Sequence, residues 1–145
     1  MSAERCFVDS NVLIYAYDNQ AGEKQRRAKE RLTELWNSGA GVLSVQVLQE
    51  FFNNATRKLA DPISIAKAKE IVKLYRDWVV TPATPDQVLS AADLMVAHRL
   101  SFWDSLILAA AEAADATTLL SEDLTHGQVI AGVRIENPFR NEITP

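Results

Sequence analysis

The stretch Cys6-Phe7-Val8-Asp9-Ser10-Asn11-Val12-Leu13-Ile14-Tyr15 reads as a short apolar strand that ends on an acid and runs straight into a helix. Residues 6–8 are apolar and β-prone, and Asp9, Ser10 and Asn11 are the types that take up the free amides of a helix start. Working outward, brief β-prone runs recur at 41–43, 78–81, 117–120 and 133–135. Helical periodicity fills the gaps over 12–17, 23–36, 45–59, 64–76, 86–98 and 102–114, punctuated by Pro62, Pro82 and Pro85. Thr84 with Pro85 and Gln87 forms a capping-box start with proline at the first helical position, and Ser101 with Asp104 forms a second. Strands separated by helices imply an α/β fold with a mainly parallel sheet of about five strands, joined by right-handed crossovers and covered on both faces. In such sheets ligands bind beyond the carboxyl ends of the strands.

A chain of 145 residues with 48% hydrophobic composition can bury one sizeable core, so a single domain over 1–145 is expected. Repeats, low-complexity tracts and Gly/Ser-rich linkers are absent from the sequence. The net charge of −4 and pI near 5.2 exclude nucleic-acid binding by bulk electrostatics, leaving local clusters to contact phosphate. Lys24, Arg26, Arg27, Lys29 and Arg31 form one such cluster, but Glu30 interrupts it on an amphipathic helix, which favours a solvated face. A lone Cys6 in an apolar run allows no internal disulfide and reads as a small buried hydrophobe in a reducing compartment. With no basic and apolar leader, and a longest apolar run of only 106–111, a soluble cytoplasmic protein without a membrane anchor is expected.

Asp9 and Asp123 both follow β-prone runs and so fall at the carboxyl edge of the sheet, although each alone also suits a helix cap or a turn. Asp104 opens a helix that is apolar nearly all round, with Ile107, Leu108 and Ala111 on its own face, so its charge needs partners. Periodicity places Glu50 opposite the stripe Leu48, Phe51, Phe52, Ala55 and Leu59, on a polar face with Gln46, Asn53, Asn54 and Arg57 that reads as solvated or as the lining of a cleft. Acids converging on one pocket repel, and a hard dication such as Mg²⁺ or Mn²⁺ relieves that repulsion. The His and Cys ligands of zinc are missing: His98 and His126 lie far apart, and His98 falls in the last turn of a helix.

These residues resemble the PIN-domain ribonucleases, and within them the VapC-type toxins of toxin–antitoxin pairs. The resemblance covers essentially the whole chain. It rests on Phe7 to Tyr15, on Gln49-Glu50-Phe51, on Leu100-Ser101-Phe102-Trp103-Asp104-Ser105-Leu106-Ile107, on Leu120-Ser121-Glu122-Asp123-Leu124 and on Asn137-Pro138-Phe139. It implies a PIN-like three-layer sandwich and a Mg²⁺- or Mn²⁺-dependent endoribonuclease. By resemblance, Asp9, Glu50, Asp104 and Asp123 are the catalytic acids. Asp9, Asp104 and Asp123 would be metal ligands, Glu50 a ligand or water-orienting group, and Asn11 and Ser121 supporting residues. Hydrolysis would leave a 5′-phosphate and a 3′-hydroxyl. The implied partners are RNA, a homodimeric second copy and a cognate antitoxin that fills the acidic groove with a basic side chain.

Three rivals share part of the pattern. A phosphomonoesterase with Asp9 as nucleophile wants its general acid two residues on, where Asn11 stands. A phospho-accepting receiver domain wants an aspartate after the third strand, where Thr81 and Pro82 stand. A PIN-like interaction module with little activity would not need the acids intact.

Overall fold

The computed structural model describes residues 4–140; residues 1–3 and 141–145, the ends of the expected 1–145 domain, lie outside the described residues. The chain runs β1 (Arg5–Val8), α1 (Ser10–Ala16), α2 (Glu23–Ser38), β2 (Gly41–Ser44), α3 (Val45–Arg57), α4 (Ile65–Tyr75) and β3 (Val79–Thr81). It continues through α5 (Pro85–His98), α6 (Phe102–Ala113), β4 (Ala116–Leu120), β5 (Val129–Ile130) and β6 (Val133–Glu136).

The strands form a sheet in the order β3-β2-β1-β4-β6-β5, parallel throughout except for the β5–β6 pair. Steps from β1 to β2 to β3 move one way across the sheet, and the step from β3 to β4 returns past β1. Right-handed crossovers then place α1 to α4 on one face and α5 and α6 on the other. The packing agrees: α1 rests on α2 and α3, α3 on α4, and α5 on α6, which lies across β2, β4 and β6. The buried core runs through β1 into both layers, with Phe7, Val8, Leu13, Leu43, Phe51, Leu108, Leu119 and Leu120 sealed from solvent.

Helix starts follow the local chemistry. The amide of Gln87 donates to Thr84 Oγ1 at 3.3 Å with Pro85 in the first turn, and the amide of Asp104 donates to Ser101 Oγ at 3.1 Å. Ser44 and Ser64 cap α3 and α4 in the same way. Helix α1 begins at Ser10, directly after Asp9, rather than at Val12.

The sheet has one strand more than the expected five. The addition, β5, is only two residues long and forms a hairpin with β6 through Ala131 and Gly132, whose φ values of 53° and 77° suit a type I′ turn. Alanine in a left-handed position carries no turn signal in a sequence, and two residues show no periodicity. Among the described residues no single helix is long and apolar enough to cross a membrane. Helix α5 buries only Ala91 fully, leaving Leu89 and Val96 65% and 85% exposed.

Strand β2 starts under an aromatic cluster in which Trp78 packs against Trp36 and Tyr75. A Cβ added at Gly41 would sit 2.5 Å from the Trp78 ring, which the cluster holds in place. Gly41→Ala is expected to cost about 1–3 kcal/mol of stability, read as a lower urea midpoint at unchanged slope. In that background Trp78→Leu should recover part of the loss, because the colliding ring is gone.

Candidate active site

The β1/β4 pair is where the strand order reverses, and its carboxyl edge is the crevice that α/β sheets use for ligands. Register brings Val8 beside Leu120, and the Asp9 amide continues the ladder to the Leu120 carbonyl at 3.0 Å. Asp9 and Ser121 therefore leave adjacent strands side by side. Ser121 Oγ donates to Asp9 Oδ2 at 2.8 Å, and the other oxygen, Oδ1, accepts the Ser10 amide at 2.7 Å. Capping α1 and facing the crevice are thus one position for Asp9, with one oxygen given to each.

Ser121 is fully buried and uses its whole hydroxyl. Besides donating to Asp9, it accepts from the Asp123 amide at 3.1 Å and from Asn11 Nδ2 at 3.4 Å. Asn11 Nδ2 also reaches Asp123 Oδ2 at 3.1 Å and Asp9 Oδ2 at 3.4 Å, while Asn11 Oδ1 accepts the Glu122 amide at 3.3 Å. The two residues tie the turn after β4 to the start of α1. Lys24 supports that turn from outside, pairing with Glu122 at 2.6 Å, and Tyr15 donates to the same carboxylate at 2.7 Å.

Glu50 and Asp104 reach the same crevice from α3 and α6. Burial raises the pKa of Asp9 from 3.8 to about 7 against the lowering effect of Ser121 and Ser10, with Asp123 and Glu50 adding repulsion. Burial likewise raises Glu50, where Ser10 and Gln46 favour the charge and Asp123 and Asp104 oppose it. Asp104 is raised by burial and by Asp123, with Ser101 opposing. Asp123 thus repels each of the other three acids, and Glu50 repels Asp9 and is repelled by Asp104, which sets the four in one electrostatic neighbourhood. This corrects the solvated reading of Glu50: the side chain is half-buried, and its Oε1 is sealed from water without a hydrogen-bond partner. Ser10 and Gln46 lie near enough to steady its charge, but neither bonds to Oε1 in good geometry. Periodicity separates core from non-core, and a helix face that borders a crevice looks the same as one in solvent.

Ser10 and Gln46 belong to this environment, Gln46 on the polar face that the sequence left open as cleft lining and Ser10 without an assigned role beyond the helix start. Ser10 is buried between Asp9 and Glu50. The available signal was position: a hydroxyl just after a strand-end acid, and an amide one turn before Glu50. Cys6 is buried, its thiol pushed up to about 12 chiefly by desolvation. His98 sits in the last turn of α5, and His126 Nδ1 accepts the Asn137 amide at 3.0 Å. Among the basic residues of α2, Lys24 pairs with Glu122, Arg26 with Glu23 and Glu30, Arg27 with Glu23, and Arg31 with Glu34 and Glu136.

The donor set suits a hard cation, since every candidate ligand is an anionic or neutral oxygen and one carboxylate oxygen is buried without a partner. Among the described residues, no three His, Cys, Asp or Glu side chains stand close enough to make a ready-made metal cage. The acids are spread more widely than a closed cage requires. Mg²⁺ is ordinarily held by one or two carboxylates and keeps several waters, so such a spread is compatible with it.

The pattern of the PIN domain matches residues 6–129, and the chain belongs to that family. The fold is shared with a toxin–antitoxin complex from Klebsiella pneumoniae, at 19% identity and a TM-score of 0.70, covering 94% of this chain and 99% of the other. It is also similar to VapC20 of Mycobacterium tuberculosis, described as a sarcin-ricin loop cleaving toxin, at 20% identity and a TM-score of 0.62 over 81% and 89% of the chains. DNA-bound VapBC from Salmonella typhimurium matches at 17% identity and a TM-score of 0.65 over 94% and 99%. No curated protein sequence matches the chain.

Because the folded pKa of Asp9 lies above its ordinary value, the fold holds a proton between 3.8 and about 7 that the unfolded chain has released. Folding stability therefore declines as pH rises through that window. Thermal melts in chelator are expected to show the decline between about pH 4 and 7, flattened in Asp9→Asn. A parallel slope in the variant would assign it to other groups.

Proposed function

We propose that the chain is a divalent-metal-dependent endoribonuclease, the toxin of a toxin–antitoxin pair acting in the cytoplasm as one PIN domain. What supports this reading is the mutual repulsion that links Asp9, Glu50, Asp104 and Asp123 near the switch point of the sheet, with one carboxylate oxygen of Glu50 buried and unpartnered. Membership of the PIN family supports it, as do similar structures described as toxins.

Asp9, Asp104 and Asp123 would hold Mg²⁺ or Mn²⁺. When bound, such an ion polarises the scissile phosphate and lowers the pKa of an attacking water. The chain's own part is placement. Ser121 and Asn11 fix Asp9 and Asp123 relative to each other, as hydrogen bonds to ligating carboxylates do. Glu50, half-buried and with its pKa raised, would orient the water and take up its proton, leaving a 5′-phosphate and a 3′-hydroxyl. A phosphomonoesterase loses support, because both oxygens of Asp9 are already hydrogen-bonded and Asn11 offers no acid.

The acidic site would accept a basic side chain of the antitoxin, preferably arginine, as an inhibitor. The exposed apolar surface of α5 around Leu89 and Val96 would be covered by a second copy of the chain.

End-labelled RNA incubated with the protein and Mn²⁺ or Mg²⁺ is expected to be cut, with cleavage abolished by chelator. Asp9→Asn and Asp104→Asn should each lower the rate by more than about a hundredfold, and Ser121→Ala by about ten- to a hundredfold. Failure to cut any RNA, together with no metal binding by calorimetry, would overturn the proposal.

A further inference from the structure

Beside the acids, the carboxyl edge of the sheet changes character. From β4 and β1 it passes to β2 and β3, which end at Ser44 and Thr81, one and two strand spacings, about 5 and 10 Å, from β1. There α3, α5 and α6 enclose a groove of about 170 Å³. Leu106, Ala110 and Val88 supply apolar walls, and Gln46, Gln49 and Gln87 are among the polar residues that line it. Trp103 lines the groove and is 63% exposed, touched edge-on by Phe102 at 5.2 Å. No residue lining the groove carries a charge.

We infer that this groove is a nucleobase subsite, in which one unpaired base of the RNA stacks on Trp103 while the amides read its edge. The inference rests on the nuclease reading and extends it to substrate selection. Its physical basis is the contrast between neighbouring surfaces. An acidic site repels RNA except where cations bridge it to phosphate, whereas an uncharged groove accepts the uncharged part of a nucleotide. Splayed bases are recognised by aromatic stacking and by amides and hydroxyls on their edges, and these are the groups assembled here. The placement also connects the two surfaces. Trp103 precedes Asp104 on α6, and Gln46 lies one turn before Glu50 on α3, with its Nε2 buried and without a hydrogen-bond partner. A base held in the groove would therefore set the adjoining phosphate against the acids.

The chain has three tryptophans, and Trp36 and Trp78 are locked in the aromatic cluster at the opposite end of β2. Nuclear magnetic resonance of the three indole N–H groups during titration with AMP, CMP, GMP and UMP is expected to shift Trp103 alone. Ribose 5-phosphate, which lacks a base, should not shift it. Trp103→Ala should lower kcat/KM for RNA cleavage by about tenfold or more, with most of the loss recovered in Trp103→Phe. Gln87→Leu should change which base is preferred beside the cut. Wild-type cleavage that persists unchanged in Trp103→Ala would overturn the subsite and leave the nuclease reading standing. A wild type that cuts no RNA would take both down. A Trp103 signal that answers to protein concentration and not to nucleotides would assign the groove to a second copy of the chain, and one that follows ribose 5-phosphate would assign it to phosphate.

Discussion

The hydrogen bond from Ser121 to Asp9 joins the ends of two parallel strands, and most of the site is arranged around it. A carboxylate as buried as Asp9 is expensive to keep charged, and its neighbours add repulsion to desolvation. One short hydroxyl donor and one backbone amide offset part of that penalty. They can do so because β1 and β4 pair in a register that sets Asp9 and Ser121 side by side. That register is in turn secured by Phe7, Val8, Leu119 and Leu120, which are buried on both faces of the sheet. The apolar centre thus holds a polar edge in a state that the edge would not adopt alone.

That arrangement has the character of a functional site paid for by the rest of the fold. Asp9 and Glu50 have raised pKa values, and Glu50 Oε1 and Gln46 Nε2 are buried polar atoms without partners. In a purely structural setting such atoms each cost about 1–3 kcal/mol, and substitution readily removes them. Here they gather at the reversal of strand order, where open α/β sheets bind ligands.

Much of this was legible in the sequence for identifiable reasons. Residues 6–11 compress strand, acid and helix start, so the location of Asp9 followed from chemistry visible within one motif. Asp123 followed from the same rule, and Asp104 from the contrast of an acid with the apolar helix it opens. Caps at Thr84 and Ser101 were readable because a hydroxyl placed before a helix has few other uses. Glu50 was legible only through family likeness, since periodicity distinguishes buried from unburied faces and cannot see a crevice formed by separate elements. The same limit hid the groove around Trp103, whose walls come from α3, α5 and α6. Strand β5 escaped because two residues carry no pattern and Ala131 carries no turn signal.

The bond between Asp9 and Ser121 spans 112 positions of the chain. Closing so large a loop is entropically costly, and the strands it joins are among the last contacts that a growing chain could make. Until β4 has been synthesised, Asp9 has no partner across the sheet and the acids have no common edge on which to meet. A half-made chain therefore carries most of the helices and none of the assembled crevice, so whatever chemistry the acids perform is withheld until synthesis has passed Asp123.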